Sequence, residues 1–215
     1  MNNLPNQFFY SKKEDRLNVL SHGIGFILSI IGLIFLINKG LQNFNLTYFM
    51  SLLIYGLSLS TMYIASTLYH NSKNANSRYN LRMFDMISIY ILIAGSYTPF
   101  TLILLNDNQG WLLFTVIWLI AFFGIAWKVF TVGKYNLVTT SLYIFMGGLW
   151  LFFYESFANQ IPSDALWWIT AGCLTYLAGV IFYLLDNKLK YNHFIWHLFV
   201  LAASGCHYIS IYFYI

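Results

Sequence analysis

Two histidines stand four residues apart at the start of the last apolar stretch of the sequence, in His193-Phe-Ile-Trp-His197. On an α-helix, side chains at positions i and i+4 share one face and lie about 6 Å apart along the axis. Two imidazoles at this spacing can bind one metal ion, as in zinc-binding HExxH helices. The pair by itself is also consistent with packing or with a membrane interface, so its interpretation depends on other residues.

A second group of polar residues interrupts apolar sequence elsewhere. His70 ends one apolar stretch and Asp85 begins the next. Ser66 precedes His70 by four residues, so its hydroxyl lies on the same helical face and can hold the ring or a bound water through a hydrogen bond. His22 and His207 are the other histidines within apolar sequence. Ionisable groups at membrane depth are costly, so each of these residues needs a physical reason.

The composition indicates the elements that position these residues. Hydrophobic residues make up 59% of the 215 positions and charged residues only 8%, whereas soluble domains carry about 25% charged residues. A membrane-spanning helix needs about 20 mainly apolar residues. Seven stretches satisfy this requirement, at about residues 19–38, 46–70, 83–105, 111–130, 137–154, 164–185 and 193–214. We therefore predict an all-α integral membrane protein with seven transmembrane helices, formed by a single domain (19–215) after an N-terminal segment (1–18).

The positive charges predict the orientation of this bundle. Ten of the eleven Lys and Arg residues fall on one side of the predicted spans, and Lys39 alone falls on the other. The ten are Lys12, Lys13, Arg16, Lys73, Arg78, Arg82, Lys128, Lys134, Lys188 and Lys190. Because Lys and Arg concentrate on the cytoplasmic side of membrane proteins, we expect a cytoplasmic N-terminus and an external C-terminus, in the cell membrane. The net charge of +4 forms no basic stripe typical of nucleic-acid binding.

This topology brings four of the polar residues to one depth. His70, Asp85, His193 and His197 all fall at the predicted cytoplasmic ends of their helices. Three imidazole nitrogens with one open position are a ligand set of catalytic zinc sites. Asp85 would then accept a proton from water activated by the zinc. The alternative is that all four are interfacial polar residues, placed where headgroups and water begin.

The sequence does not assign the remaining histidines or the cysteines to this site. His207 lies ten residues beyond His197, about 15 Å further along the helix, and we interpret it as a packing or cavity residue. His22 lies at the right depth, but its face is not defined by the sequence. Cys173 and Cys206 lie within apolar stretches and are expected to be buried, free thiols.

Proline and glycine add expectations about the helices themselves. Pro99 lies within the third stretch and should remove one helix hydrogen bond and kink the helix. Gly147, Gly148, Gly172 and Gly179 are either points of close helix packing or incidental glycines.

Motifs along the chain resemble the haemolysin III proteins of the progestin and adipoQ receptor group. The first helix matches the pattern E-E-x-x-N-x-x-T-H-x-x-G, with Glu14-Asp15, Asn18, Ser21-His22 and Gly25. The second and third match through Ser66-Thr-Leu-Tyr-His70, Arg78, Asp85 and Ala94-Gly-Ser-Tyr-Thr-Pro99, and the seventh through His193-Phe-Ile-Trp-His197 and His207. The departures are Asp15 in place of glutamate and Ser21 in place of threonine, and both preserve the chemistry. The resemblance covers nearly the whole chain and suits a bacterial member.

The resemblance implies a fold and a site. The group has a seven-helix bundle with its N-terminus inside the cell. In the adiponectin receptors, three histidines matching His70, His193 and His197 hold zinc near the cytoplasmic face. An aspartate matching Asp85 contacts the zinc through water, and a serine matching Ser66 lies close by. The related alkaline ceramidases use a similar site to cleave a lipid amide, whereas the haemolysin name of bacterial members suggests a pore or cytolytic activity.

Three functions follow as expectations. The leading one is a zinc-dependent membrane hydrolase that acts on a lipid amide or ester, with membrane lipids as partners, Asp85 as general base and Ser66 beside it. The second is a sensor of membrane state with a non-catalytic zinc site. The third is a pore, which the clustering of ionisable groups at one end of the spans disfavours. The sequence indicates no soluble ligand.

Overall fold

The computed structural model describes residues 10–215 except 44, 106, 133 and 187, and all regular structure in these residues is helical. Seven helices are long and apolar enough to cross a membrane. They are α1 (Lys12–Leu41), α2 (Leu46–Asn71), α3 (Ala75–Leu105), α4 (Asn108–Phe130), α5 (Asn136–Gln160), α6 (Ser163–Leu184) and α7 (Asn192–Tyr214). The predicted all-α, seven-span, multi-pass membrane fold is confirmed.

Two helices begin earlier than their apolar stretches. α1 begins at Lys12 rather than near residue 19, and the Ser11 hydroxyl caps it by accepting a hydrogen bond from the Glu14 amide. Acidic side chains in the first turn favour this start because they offset the partial positive charge of the helix N-terminus. α3 begins at Ala75 rather than near residue 83, capped by the Asn74 side chain. The boundary predicted at residue 18 therefore lies inside α1, and polar residues before it join the bundle.

Two of the spanning helices are irregular near their far ends. After Pro99, the last part of α3 (Phe100–Leu105) is π-helical, in keeping with the hydrogen bond that a proline removes. The Thr101 hydroxyl donates to the Tyr97 carbonyl, which satisfies a backbone oxygen close to the proline. In α5, residues Leu149–Phe153 form a 3₁₀ turn.

Helices adjacent in sequence are also neighbours in space, and α1 packs against α7. α2 and α3 are the most buried spans. The other helices turn large apolar side chains outward, such as Leu28, Phe122 and Phe123, each more than half exposed. This is the surface that a bilayer would cover. The core contains polar side chains as well, and many of them lie where α1, α2 and α7 meet.

Of the four glycines considered as points of helix packing, two lie in close contact with a neighbouring helix and two do not. A Cβ atom on Gly172 would lie 2.3 Å from the His207 ring, and one on Gly179 would lie 2.7 Å from the Phe199 side chain. These two are close-packing points between α6 and α7. A Cβ atom on Gly147 or Gly148 would meet no atom within 4 Å. Cys173 and Cys206 are free thiols, as expected, and both are partly buried.

Candidate metal centre

Three buried imidazoles converge at the end of the bundle that carries most of the basic residues, referred to below as the basic end. His70 lies at the last turn of α2, and His193 and His197 lie in the first two turns of α7. One ring nitrogen from each lies within 4.8 Å of the other two. The convergence arises because α2 ends and α7 begins at the same end of the bundle. The structure thus brings together the three histidines that the sequence predicted, in an arrangement that can hold one metal ion.

Two of these imidazoles are held from α1, which contributes none of the three histidines. The Nδ1 atom of His70 lies 3.1 Å from Oδ1 of Asp15, and the amide of Asn18 lies 3.3 Å from the same nitrogen. The Nδ1 atom of His197 lies 3.2 Å from the hydroxyl oxygen of Ser21. These partners orient the two rings from the side opposite to their Nε2 atoms.

The third imidazole is held from the loop between α6 and α7. The Nδ1 atom of His193 lies 3.3 Å from Oδ2 of Asp186 and 3.0 Å from the Tyr10 hydroxyl oxygen. Tyr10 also donates a 2.6 Å hydrogen bond to Asp186, and burial raises the pKa of this phenol. Burial pushes the pKa of Asp186 upward, but hydrogen bonds from His193 and Tyr10 outweigh it, and the net pKa is lowered. Asp186 is therefore held as the carboxylate.

All three Nδ1 atoms thus have polar partners within the protein, which leaves the Nε2 atoms for a metal. The Nε2 atom of His70 is buried and has no hydrogen-bond partner among the described residues. Metal-ligating histidines commonly donate their other ring nitrogen to a carboxylate, carbonyl or water, which fixes the tautomer and the ring orientation. The observed contacts have this pattern.

An ion pair with the buried guanidinium of Arg78 secures Asp15, whose own side chain is partly exposed. The Arg78 Nη2 atom donates to both oxygens of Asp15, at 2.8 and 3.0 Å. The Nη1 atom donates to the carbonyl oxygens of Ser72 and His70, at 2.9 and 3.3 Å. Arg78 is 1% exposed, so this guanidinium joins α1, the end of α2 and the start of α3 next to the histidine cluster.

A cavity of about 460 Å³ opens beside the cluster. Its wall is mostly apolar, with contributions from α1, α2, α3, α5, α6 and α7, and His193 and His197 belong to it. Ser66 and Asp85 also line the cavity, and the serine hydroxyl interacts with the Asp85 carboxylate. Asp85 is not one of the three clustered residues. The predicted site residues therefore share one region, with the imidazoles grouped and the Ser66–Asp85 pair on the cavity wall.

The other two membrane histidines occupy different positions. His22 is buried and stacks on His197, with ring centroids 3.5 Å apart and planes inclined by 11°. The sequence did not define which side of α1 His22 occupies, and in the structure its side chain lies on the cavity wall. His207 lies outside the cluster, where it packs on Gly172 and approaches the Cys173 sulfur to 3.8 Å.

The sequence predicted no role in holding the imidazoles for any of these partners, although Asp15, Asn18 and Ser21 belong to the motif of the first helix. Asp15, Asn18 and Ser21 stand at spacings of three and six residues, which a helix starting at Lys12 places close to one face. A predicted helix start near residue 12, rather than near residue 19, would have shown that these three residues lie close to one face of α1. Nothing in the sequence pattern singles out Tyr10 or Asp186, because their contacts depend on how Tyr10 and the α6–α7 loop pack on the site.

Comparisons with known proteins identify the family of the chain. The sequence profile of the family described as Haemolysin-III related matches residues 10–208. Hemolysin-3 of Bacillus cereus is 37% identical over 94% of this chain and 92% of its own length. The hemolysin-3 homolog of Bacillus subtilis (strain 168) is 34% identical over 95% and 96%. The human monocyte to macrophage differentiation factor is 32% identical over 75% of this chain and 69% of its own length. The match extends from Tyr10, beside the histidine cluster, to the end of the cavity-lining part of α7, and the chain belongs to the haemolysin III family.

Proposed function

We propose that this protein is a zinc-dependent membrane hydrolase that cleaves an amide or ester bond of a lipid. The observation that carries the proposal is the placement of three buried imidazoles beside a mostly apolar cavity within a membrane-spanning bundle. Charge and polarity are rare inside membrane proteins and usually mark a functional site.

The donor set fits zinc. His70, His193 and His197 offer three imidazole nitrogens, a set found in catalytic zinc sites that keep an open position. Magnesium and calcium prefer oxygen ligands, and copper(I) prefers thiolates. The cluster itself contains neither carboxylate nor thiol among the described residues. The buried Nε2 atom of His70, which lacks a partner in the described part of the chain, is the atom that a metal would satisfy.

The remaining residues supply proton transfer and positioning. When bound here, zinc would polarise the lipid carbonyl and lower the pKa of a water molecule toward about 7. Asp85 would accept a proton from this water while the water oxygen forms a bond to the carbonyl carbon. Asp85 would then deliver the proton to the leaving amine or alcohol as the C–N or C–O bond breaks. Ser66 would hold the Asp85 carboxylate in place through the observed interaction.

The cavity suggests how a lipid would be held. A volume of about 460 Å³ lies in the usual range for sites of small molecules, which are mainly apolar with a few polar groups. An acyl chain would occupy the apolar part while the scissile carbonyl lies beside the histidines. With the predicted orientation, the headgroup would lie toward the cytoplasmic leaflet.

Metal analysis of the purified full-length protein tests the metal part of this proposal. We expect stoichiometric zinc in the wild type and a large loss of zinc in each of His70→Ala, His193→Ala and His197→Ala, because each removes one of three ligands. His207→Ala is the matched control and should retain zinc, since His207 lies outside the cluster. A wild type without zinc, or a His193→Ala variant with unchanged zinc, would refute it.

Lipid turnover separates the hydrolase from a membrane-state sensor with a non-catalytic zinc site. Cells carrying Asp85→Ala in place of the wild type should accumulate one class of lipid amide or ester. If zinc is bound normally and the lipid composition does not change, the sensor is the better description.

The names of the Bacillus relatives favour a third candidate, a pore. Conducting pores place polar groups along their length, whereas the wall of this cavity is mostly apolar. Leakage of liposomes that persists in the three histidine variants would support the pore and argue against the hydrolase.

A further inference from the structure

Cys173 and His207 form a pair of metal-binding groups that the proposed hydrolase does not use. The Cys173 sulfur lies 3.8 Å from the Nε2 atom of His207, with one residue on α6 and the other on α7. Both side chains line the cavity. Because His207 stands ten residues beyond His197, the pair lies about 15 Å along α7 from the histidine cluster. The two groups of residues therefore cannot bind the same ion.

The packing of α6 against α7 sets the short distance within this pair. A Cβ atom on Gly172 would lie 2.6 Å from the Nε2 atom of His207, so only a glycine lets the imidazole approach α6 beside Cys173. The His207 ring also interacts with the Ile169 carbonyl oxygen, and the Trp150 indole interacts with the thiol. Both donor groups are therefore held in position by their neighbours.

The separation of the sulfur and the nitrogen suits a metal ion bound to both. The bonds of zinc, about 2.3 Å to sulfur and about 2.0 Å to nitrogen, give the scale. An ion with bonds of these lengths spans the 3.8 Å between the two atoms at a bond angle of about 125°. This angle is wider than the tetrahedral one and suits an ion with two or three ligands.

The surroundings select the charge of the ion. The cavity wall is mostly apolar, and Asp85, its acidic residue, interacts with Ser66 near the histidine cluster. A cysteine binds metal as the thiolate and releases its proton. A thiolate with a monovalent cation is neutral overall, whereas a divalent cation would leave one positive charge uncompensated in apolar surroundings, at a high cost.

The ligand types select the element. Thiolate is a soft ligand that favours copper(I), and imidazole also binds copper. Zinc prefers four ligands, and this pair supplies two. Metal binding also suits the thiol better than nucleophilic catalysis does, because apolar surroundings disfavour a free thiolate and a bound cation supplies the compensating charge.

We propose that Cys173 and His207 form a second metal site, which binds one copper(I) ion on the cavity wall away from the histidine cluster. The thiol releases one proton to solvent as a copper–sulfur and a copper–nitrogen bond form. The ion enters as copper(I) and stays copper(I), so the step needs no oxidant or reductant. The site goes beyond the proposed hydrolase and does not depend on it.

Anaerobic titration with copper(I) tests this site. The sample is the full-length protein in lipid nanodiscs, supplied with excess zinc so that the histidine cluster is occupied, and a dye that chelates copper(I) competes for the ion. We expect one equivalent of copper(I) to bind without releasing zinc. X-ray absorption at the copper edge should then show one sulfur and at least one nitrogen bonded to the metal.

Three variants assign the copper to this pair. Cys173→Ser keeps a group that can bond to His207 but removes the soft ligand, and copper affinity should fall at least about 100-fold, the upper end of the loss caused by removing an outer partner of a metal ligand. His207→Gln should weaken copper binding by at least about tenfold. Cys206→Ser is the matched control, because Cys206 is also a free thiol but is not on the cavity wall, and it should bind copper as the wild type does.

The outcomes separate this site from the proposed zinc site. Copper that binds only by displacing zinc, or that shows no bonded sulfur, would overturn the proposal. Equal copper affinities in the wild type and Cys173→Ser, or loss of copper in Cys206→Ser, would do the same. Copper binding that depends on Cys173 and not on Cys206 would establish the site even if the protein carries no zinc and hydrolyses no lipid.

Discussion

The Nδ1 atom of His70 lies 3.1 Å from Oδ1 of Asp15, and the two residues come from different helices. Asp15 is in turn held by the buried guanidinium of Arg78. A side chain near the start of α1 therefore orients a ring at the end of α2. This contact makes the first helix part of the proposed metal site, although it supplies none of the three clustered histidines.

Replacing Asp15 by Asn should weaken metal binding and stability together. The change removes a carboxylate that accepts from His70 and from Arg78. Loss of such an outer partner typically lowers metal affinity roughly 10- to 100-fold, and loss of a charged hydrogen bond costs about 2 kcal/mol of stability. Zinc affinity by competition with a chelating dye and thermal unfolding in detergent would measure the two effects.

Asp164→Asn is the matched control for this variant. Asp164 is exposed at the start of α6, at the opposite end of the bundle, and the same change there should leave zinc affinity unaltered. If Asp15→Asn binds zinc as tightly as Asp164→Asn does, Asp15 does not position His70 for metal binding.

Replacing Asp186 should lower zinc affinity more than replacing Tyr10 does. Asp186→Asn removes the carboxylate beside the Nδ1 atom of His193, so we expect a loss of zinc affinity comparable to that of Asp15→Asn. Tyr10→Phe removes the phenol that donates to Asp186 and lies 3.0 Å from the Nδ1 atom of His193. It leaves the carboxylate in place and should cost less, about threefold in affinity, the weight of one neutral hydrogen bond. A larger effect for Tyr10→Phe than for Asp186→Asn would contradict this order.

The sequence allowed the seven spans and the common depth of the site residues to be predicted, because both follow from hydropathy and from the direction of each helix. It also placed His193 and His197 on one face, since this depends on local spacing alone. The start of α1 was predicted too late because its first turns are polar, and their burial depends on pairs such as Asp15–Arg78. The stacking of His22 on His197 depends on how α1 rotates against α7, which no local pattern specifies.

Gly172→Ala should destabilise the packing of α6 against α7. The added Cβ atom would lie 2.3 Å from the His207 ring and 3.1 Å from the Ala203 carbonyl oxygen. Overpacking of this kind costs about 1–3 kcal/mol, so the unfolding midpoint should fall by several degrees. Gly147→Ala is the control, because its Cβ atom meets nothing within 4 Å and alanine favours a helix by about 1 kcal/mol. Equal midpoints for the two variants would show that the α6–α7 contact is looser than observed.

Gly148→Leu should reduce the space available to a long acyl chain. Gly148 lies on the cavity wall, and a Cβ atom there would meet no atom within 4 Å. A leucine side chain would therefore enter open space and compete with the far part of a bound chain. We expect affinity for a long-chain N-acyl ethanolamine to fall about tenfold, with a much smaller change for a short-chain one. Calorimetric titration in nanodiscs would measure both.

Gly205→Leu is the matched control for the cavity variant. Gly205 also has open space around it but is exposed and lies outside the cavity wall. Leucine at this position should leave both affinities unchanged, because it faces away from the bound chain. If Gly148→Leu weakens the long-chain and short-chain lipids equally, or neither, the acyl chain does not occupy this part of the cavity.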